Sequence, residues 1–203
     1  MTAIIFAGGD IRNYDFIDTE ANMIICADRG ILHTGRLRIL PDIVTGDFDS
    51  YTGNMPVCRE VFRSVPEKDD TDTMLALKLA IERGADSIRL YGATGGRFDH
   101  TFANIQALIY AYDNNCKMTI YDEDNIITVQ GAGTEQYHKY KDWYFSVFAL
   151  TEKLYVKKMT GVKYPVEDYI FTQKFPVGVS NEIIDTAVVN IEKGLALIIR
   201  SRR

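Results

Sequence analysis

A chain of 203 residues with 46% apolar and 25% charged side chains has a folded globular composition and length for one large domain or two small ones. That excludes the disordered, collagen-like and coiled-coil classes. Its 28 acids outnumber its 23 bases, and the net charge of -5 argues against general binding to nucleic acid or anionic membranes.

The chain opens on Met1-Thr2-Ala3-Ile4-Ile5-Phe6-Ala7 and then Gly8-Gly9-Asp10. Without a basic leader, this reads as a buried first strand rather than a signal peptide. Further short β-branched or aromatic runs follow at Met23–Ala27, Ile43–Thr45, Val61–Val65, Ile88–Tyr91 and Met118–Tyr121. They read as buried parallel strands. Between them, Met74, Leu77 and Ile81 fall at helical spacing over Thr73–Arg83, with Gly84 as the expected cap. Phe102, Ile105, Leu108, Ile109 and Tyr112 do the same over Thr101–Tyr112. Strand–helix alternation predicts an open, Rossmann-like α/β sheet over residues 1–124.

From residue 125 to 203 the texture changes. Gly131-Ala132-Gly133 is a turn cluster. Trp143–Leu150, Lys153–Lys158, Val188–Ile191 and Leu195–Ile199 read as strands, with Glu192-Lys193-Gly194 as a hairpin connection. A small antiparallel β domain, a sandwich or a barrel, is expected. Three widely spaced cysteines, Cys26, Cys58 and Cys116, suit a reduced cytoplasm rather than a zinc site or disulfide framework. No apolar run approaches the roughly 18–20 residues of a membrane span.

Ligands of open α/β sheets bind at the carboxyl ends of the strands. Three segments stand there. Thr45-Gly46-Asp47-Phe48-Asp49-Ser50 places two carboxylates on one side of an extended chain, where they repel unless a cation separates them. Mg2+ takes such oxygen donors, although an ordinary Asp-rich turn is also open. Glu67-Lys68-Asp69-Asp70-Thr71-Asp72-Thr73 opens the first long helix. Helix capping accounts for one or two of its acids but does not require three in four residues plus a lysine. Gly92-Ala93-Thr94-Gly95-Gly96-Arg97-Phe98-Asp99-His100-Thr101 precedes the second long helix. Its glycines let backbone N–H groups approach phosphate oxygens, and Arg97 offers a planar fork matched to phosphate. Asp99 is open to capping the helix, binding metal or contacting ribose. Asp28, after the second strand, is a candidate nucleotide contact or a turn residue. His33 and His138 carry no motif.

Taken together, Gly46-Asp47-Phe48-Asp49-Ser50, Lys68-Asp69-Asp70-Thr71-Asp72 and Gly95-Gly96-Arg97-Phe98-Asp99-His100 with Asn104 resemble the thiamine pyrophosphokinase family. Thr160-Gly161-Val162-Lys163-Tyr164-Pro165, Gly178-Val179-Ser180-Asn181-Glu182 and Gly194-Leu195-Ala196-Leu197 extend the resemblance over nearly the whole chain. It implies an α/β kinase domain, a C-terminal β-sandwich that binds thiamine, and a homodimer; the acidic balance and the lack of a long apolar run speak for no nucleic-acid and no membrane partner. The implied reaction moves a diphosphate from ATP to the thiamine hydroxyl and releases AMP.

On that basis Asp47, Asp49 and Asp72 are expected to hold Mg2+, with Asp69 as a further ligand or acceptor. Arg97 clamps phosphates and Lys68 adds a point charge. Asp28, Thr94, Gly95, Gly96, Asp99, His100 and Asn104 border the nucleotide. Ser180, Asn181 and Asp72 face thiamine. Which acid accepts the hydroxyl proton stays open. An Asp-based phosphohydrolase and a non-catalytic nucleotide or thiamine sensor are the alternatives.

Overall fold

The computed structural model describes residues 1–46, 53, 56–63 and 70–203. They form two compact units, Met1–Glu123 and Asp124–Arg203.

The first unit is built on six parallel strands: β1 (Thr2–Phe6), β2 (Met23–Ala27), β3 (Ile43–Gly46), β4 (Glu60–Arg63), β5 (Ser87–Tyr91) and β6 (Lys117–Tyr121). Their order is β4-β3-β2-β1-β5-β6. Ala3, Ile4, Ile5 and Phe6 are all fully buried, so β1 is covered on both faces and its sequence is a continuous apolar run. Ile4, Phe6, Cys26, Val44 and Tyr91 pack on one face with Ile31, Tyr14 and Phe16. The alternate residues, such as Ile5, Ile25 and Leu90, point to the opposite face, where α2 (Asp72–Glu82) and α3 (Phe98–Asp113) pack.

The helices depart from expectation at their starts. Helix α3 begins at Phe98 rather than Thr101, so Arg97 is its N-cap residue and Asp99 lies in its first turn. Helix α1 (Ile31–Leu37) was not anticipated. It spans seven residues, contains Gly35, and buries Ile31, His33 and Thr34 rather than a clean apolar stripe.

Strands β1 to β4 run out to one side of β1, and β5 returns to its other side. The direction of winding therefore reverses between β1 and β5. At such a reversal the loops from neighbouring carboxyl ends diverge and leave a crevice.

The second unit contains β7 (Asn125–Gln130), β8 (Gly133–His138), β9 (Trp143–Ala149), β10 (Lys153–Val162), β11 (Val166–Thr172), β12 (Ile183–Lys193) and β13 (Ala196–Arg202). They form two antiparallel sheets, β7-β13-β9 and β11-β10-β12-β8. Phe145, Val147, Ala196 and Ile198 of one sheet share a core with Leu154, Val156, Met159, Val189 and Ile191 of the other. The unit is a sandwich, not a barrel.

The expected hairpin at Glu192-Lys193-Gly194 is corrected. Strand β12 belongs to the four-stranded sheet and β13 to the other, so this connection crosses the sandwich. Gly131-Ala132 does the same between β7 and β8. No helix among the described residues is long and apolar enough to cross a membrane.

Candidate functional site

The loop after β1 and the loop after β5 meet at the crevice. The Ala7 amide donates to the Tyr91 carbonyl and the Gly9 amide to the Gly92 carbonyl, each at 2.8 Å. This approach needs glycine on both sides. A Cβ on Gly9 would lie 2.5 Å from the Gly92 oxygen, and one on Gly92, at φ +65°, would lie 2.6 Å from the Ala7 oxygen.

Beyond Gly92 the loop is clamped from below. Asn104, buried on α3, donates from Nδ2 to the Ala93 carbonyl at 2.8 Å. Thr94 Oγ1 donates to Asp122 Oδ2 at 2.6 Å. Gly95 and Gly96 then take consecutive left-handed conformations at φ +80° and +73°, with open space around both. Two left-handed residues in a row are a backbone that side-chain-bearing residues rarely adopt.

Arg97 forms a two-point pair with Asp99, at 3.2 Å from Nε to Oδ1 and 2.6 Å from Nη2 to Oδ2. Both side chains are exposed, and the pairing lowers the Asp99 carboxyl and raises the Arg97 guanidinium from their ordinary values. Asp99 Oδ1 also accepts from the His100 amide at 2.9 Å. Asp99 thus holds the arginine and one amide of the first turn. The His100 side chain is exposed.

At the tips of β2 and β3, Asp28 has φ 48°, and its Cα lies 3.2 Å from where a Cβ on Gly46 would stand. Thr45 Oγ1 reaches the backbone oxygen of Asp72 at 3.5 Å, so the end of β3 abuts the start of α2. There Thr71 supplies the cap by accepting from the Met74 amide at 3.2 Å, while Asp70 pairs with Lys78 Nζ at 2.6 Å. Neither job falls to Asp72, which is half-buried in the first turn. Asp47, Asp49, Lys68 and Asp69 lie outside the described residues. Among the described residues no three His, Cys, Asp or Glu side chains gather as a metal site. Asp72 is the one described member of the expected Mg2+ set. Its carboxylate is the kind of oxygen donor that a hard cation takes.

In the second unit the two candidates split. Ser180 is exposed at φ +57°, and its amide donates to Ser146 Oγ at 3.0 Å. Asn181 is buried. Its Oδ1 accepts from the amides of Tyr164 at 3.0 Å and Glu182 at 2.9 Å, and its Nδ2 donates to the Tyr164 carbonyl at 2.9 Å. Asn181 therefore holds the turn between β10 and β11 against the Ser180 loop. Asn181→Ala is expected to cost about 1–2 kcal/mol, because it takes the partner from three part-buried backbone groups of Tyr164 and Glu182. Denaturant unfolding of the full chain measures this.

Two further side chains hold backbone near the crevice without belonging to any motif. Glu123 Oε1 accepts from the amides of Arg12, at 2.5 Å, and Asn13, at 3.1 Å. Burial works to raise this carboxyl, yet the donated hydrogen bonds leave it below its ordinary value. His33 touches the Gly9 carbonyl. Neither carries a sequence motif, since each acts on backbone and not through a recognisable neighbour.

Two family models match the chain: the thiamin pyrophosphokinase catalytic domain over residues 16–120 and the thiamin pyrophosphokinase vitamin B1 binding domain over residues 134–196. The thiamine pyrophosphokinase of Bacillus subtilis (strain 168) is 32% identical over 215 residues, covering 98% of both chains. The chain belongs to the thiamin pyrophosphokinase family. The solved thiamine pyrophosphokinase of Bacillus subtilis aligns with a TM-score of 0.90 at 31% identity, covering 100% of this chain and 99% of that one. That of Geobacillus thermodenitrificans aligns at 0.85 and 30% identity, covering 100% and 98%. Membership in the family makes the chain a kinase-type transferase. The phosphohydrolase and sensor alternatives gain no support from these likenesses.

Proposed function

We propose that this chain transfers a diphosphate from ATP to the hydroxyl of thiamine, yielding thiamine diphosphate and AMP, with Mg2+ required. The observation that carries the reading is the presence of both family models, catalytic and vitamin B1 binding, on one chain.

In this reading ATP lies across the crevice between β1 and β5. The Gly92–Gly96 loop and the start of α3 offer backbone N–H groups to its phosphates. Arg97 supplies the fork, and Asp99 keeps it extended until phosphate takes its place. Asp28, Thr94 and His100 border the nucleotide, and Asn104 keeps the loop in shape. Lys68 adds a cation nearby.

Asp47, Asp49 and Asp72 would hold Mg2+, with Asp69 beside them. The metal supplies charge neutralisation on the phosphate oxygens. One of the carboxylates accepts the hydroxyl proton as the hydroxyl oxygen attacks the β-phosphorus, the bond from that phosphorus to the bridging oxygen breaks, and AMP leaves. Little covalent work is asked of the protein, so alignment and charge dominate. Asp72 also faces the cationic thiazolium ring. Ser180 touches thiamine, and Asn181 presents Ser180. A homodimer in a reduced cytoplasm completes the proposal.

Purified full chain given ATP, Mg2+ and thiamine should release AMP and thiamine diphosphate in equal amounts. ADP with thiamine monophosphate would overturn the reading. ATP hydrolysis that ignores thiamine would restore the phosphohydrolase.

A further inference from the structure

His33 on α1 is 5% exposed, and its ring sits directly beneath the first crevice loop. Its Nε2 lies 2.8 Å from the Gly9 carbonyl and its Nδ1 lies 2.7 Å from the Tyr14 hydroxyl. The ring also abuts the second loop: a Cβ on Gly92 would stand 3.1 Å from Nε2. A carbonyl only accepts, so Nε2 carries the hydrogen. In the neutral ring Nδ1 then accepts, and the Tyr14 hydroxyl donates to it. Arg36 Nη1 donates to that hydroxyl at 3.3 Å, which completes a chain of donors pointing one way, from Arg36 through Tyr14 and His33 to Gly9. Burial lowers the imidazole from its ordinary value and Arg36 adds to this, against the Gly9 and Ala7 carbonyls and the Asp10 charge, which raise it; the net direction is down and favours the neutral ring.

The consequence follows from peptide geometry. The Gly9 amide is fixed by Gly92, and the Gly9 carbonyl is drawn inward by His33. In a trans peptide the carbonyl and the following N–H point in opposite directions, and no peptide bond among the described residues is cis. The Asp10 N–H is thereby turned away from buried His33, toward the exposed side of the loop, where Asp10 itself is exposed.

We infer that His33 is a positioning residue for nucleotide binding: it locks the Gly9–Asp10 peptide so that the Asp10 N–H faces the crevice as a donor to a phosphate oxygen of ATP. The inference rests on the proposed kinase reading, which puts ATP at this crevice. His33 itself touches no substrate.

The test uses the full-length chain and separates the two ring nitrogens. His33→Gln keeps a donor where Nε2 stood. His33→Asn places its amide near Nδ1 and falls short of Gly9. Calorimetry with ATP and Mg2+ should show Kd raised about tenfold for His33→Asn, the loss of one good hydrogen bond, and within about threefold of the parent for His33→Gln. KM for ATP should follow Kd, while kcat and KM for thiamine stay within about twofold. Equal shifts in both variants, no shift in either, or a change confined to kcat would overturn the inference.

Nitrogen-15 NMR of the unaltered protein gives a readout independent of how the variants fold. It should report a neutral ring protonated at Nε2, and an Nδ1–H tautomer would overturn the inference. The functional reading fails separately, if the unaltered protein makes no AMP from ATP and thiamine.

Discussion

Asp72→Asn is expected to lower the rate of AMP formation by about a hundredfold or more while the protein stays folded. The substitution keeps the shape of the side chain and removes one of the proposed cation-holding charges, and charge stabilisation at a phosphoryl centre is the largest lever available here. Helix α2 is capped by Thr71, and Asp70 is tied to Lys78, so neither job falls to Asp72, which stands at the positive end of the helix. That placement is worth about 0.3–1 kcal/mol. Thermal melting should shift slightly, and the Mg2+ concentration for half-maximal rate should rise. A variant that melts far below the parent, or one that retains most of its turnover, would show that Asp72 serves the helix and not the reaction.

Arg97→Ala should cost a comparable factor, about a hundredfold in kcat/KM for ATP, because a fixed cation on a transferring phosphate is an electrostatic device of the same kind. Arg97→Lys should recover little of it. The 3.2 and 2.6 Å contacts to Asp99 show a guanidinium used as a fork, and an ammonium cannot reproduce two parallel contacts. The melting temperature should not move, since both side chains stand in solvent. Steady-state kinetics with ATP varied at saturating thiamine makes the measurement. Full recovery by lysine would mean that Arg97 acts as a diffuse charge.

The sequence was most legible where burial is two-sided. Strand β1 reads as Ala3–Ala7 because each of these side chains meets a packed face, and β2 is apolar for the same reason, while β5 and β6 are marked by buried Ile88 and Leu90 and by buried Met118 and Ile120 that alternate with Arg89 and Thr119. Legibility fell at edges. Strand β8, Gly133–His138, buries only Tyr137, and β11, Val166–Thr172, lies at the rim of its sheet with Glu167, Asp168, Tyr169 and Ile170 exposed. Neither shows the apolar alternation that marks a strand. Strand β7 is a different case: Ile126, Ile127 and Val129 form an apolar run that directly abuts the Gly131-Ala132-Gly133 turn cluster.

Within the candidate site, charged and glycine-rich motifs stood out by chemistry. The residues that shape their backbone did not. The motif points Asn181 to substrate and is silent on the hydrogen bonds that its amide makes to Tyr164 and Glu182. His33 and Glu123 grip peptide groups far away in sequence, and a pairing of side chain with backbone leaves no residue pattern to read.

Strand β13 lies between β7 and β9, with Ala196 facing Gln130 on one side and Ala149 on the other. Those two neighbours are synthesised well before it and have no ladder to share until it arrives. During translation each waits with an open edge, and the three-stranded sheet closes only once residues 196–202 have left the ribosome. Nascent chains halted ahead of that point should be the ones that aggregate.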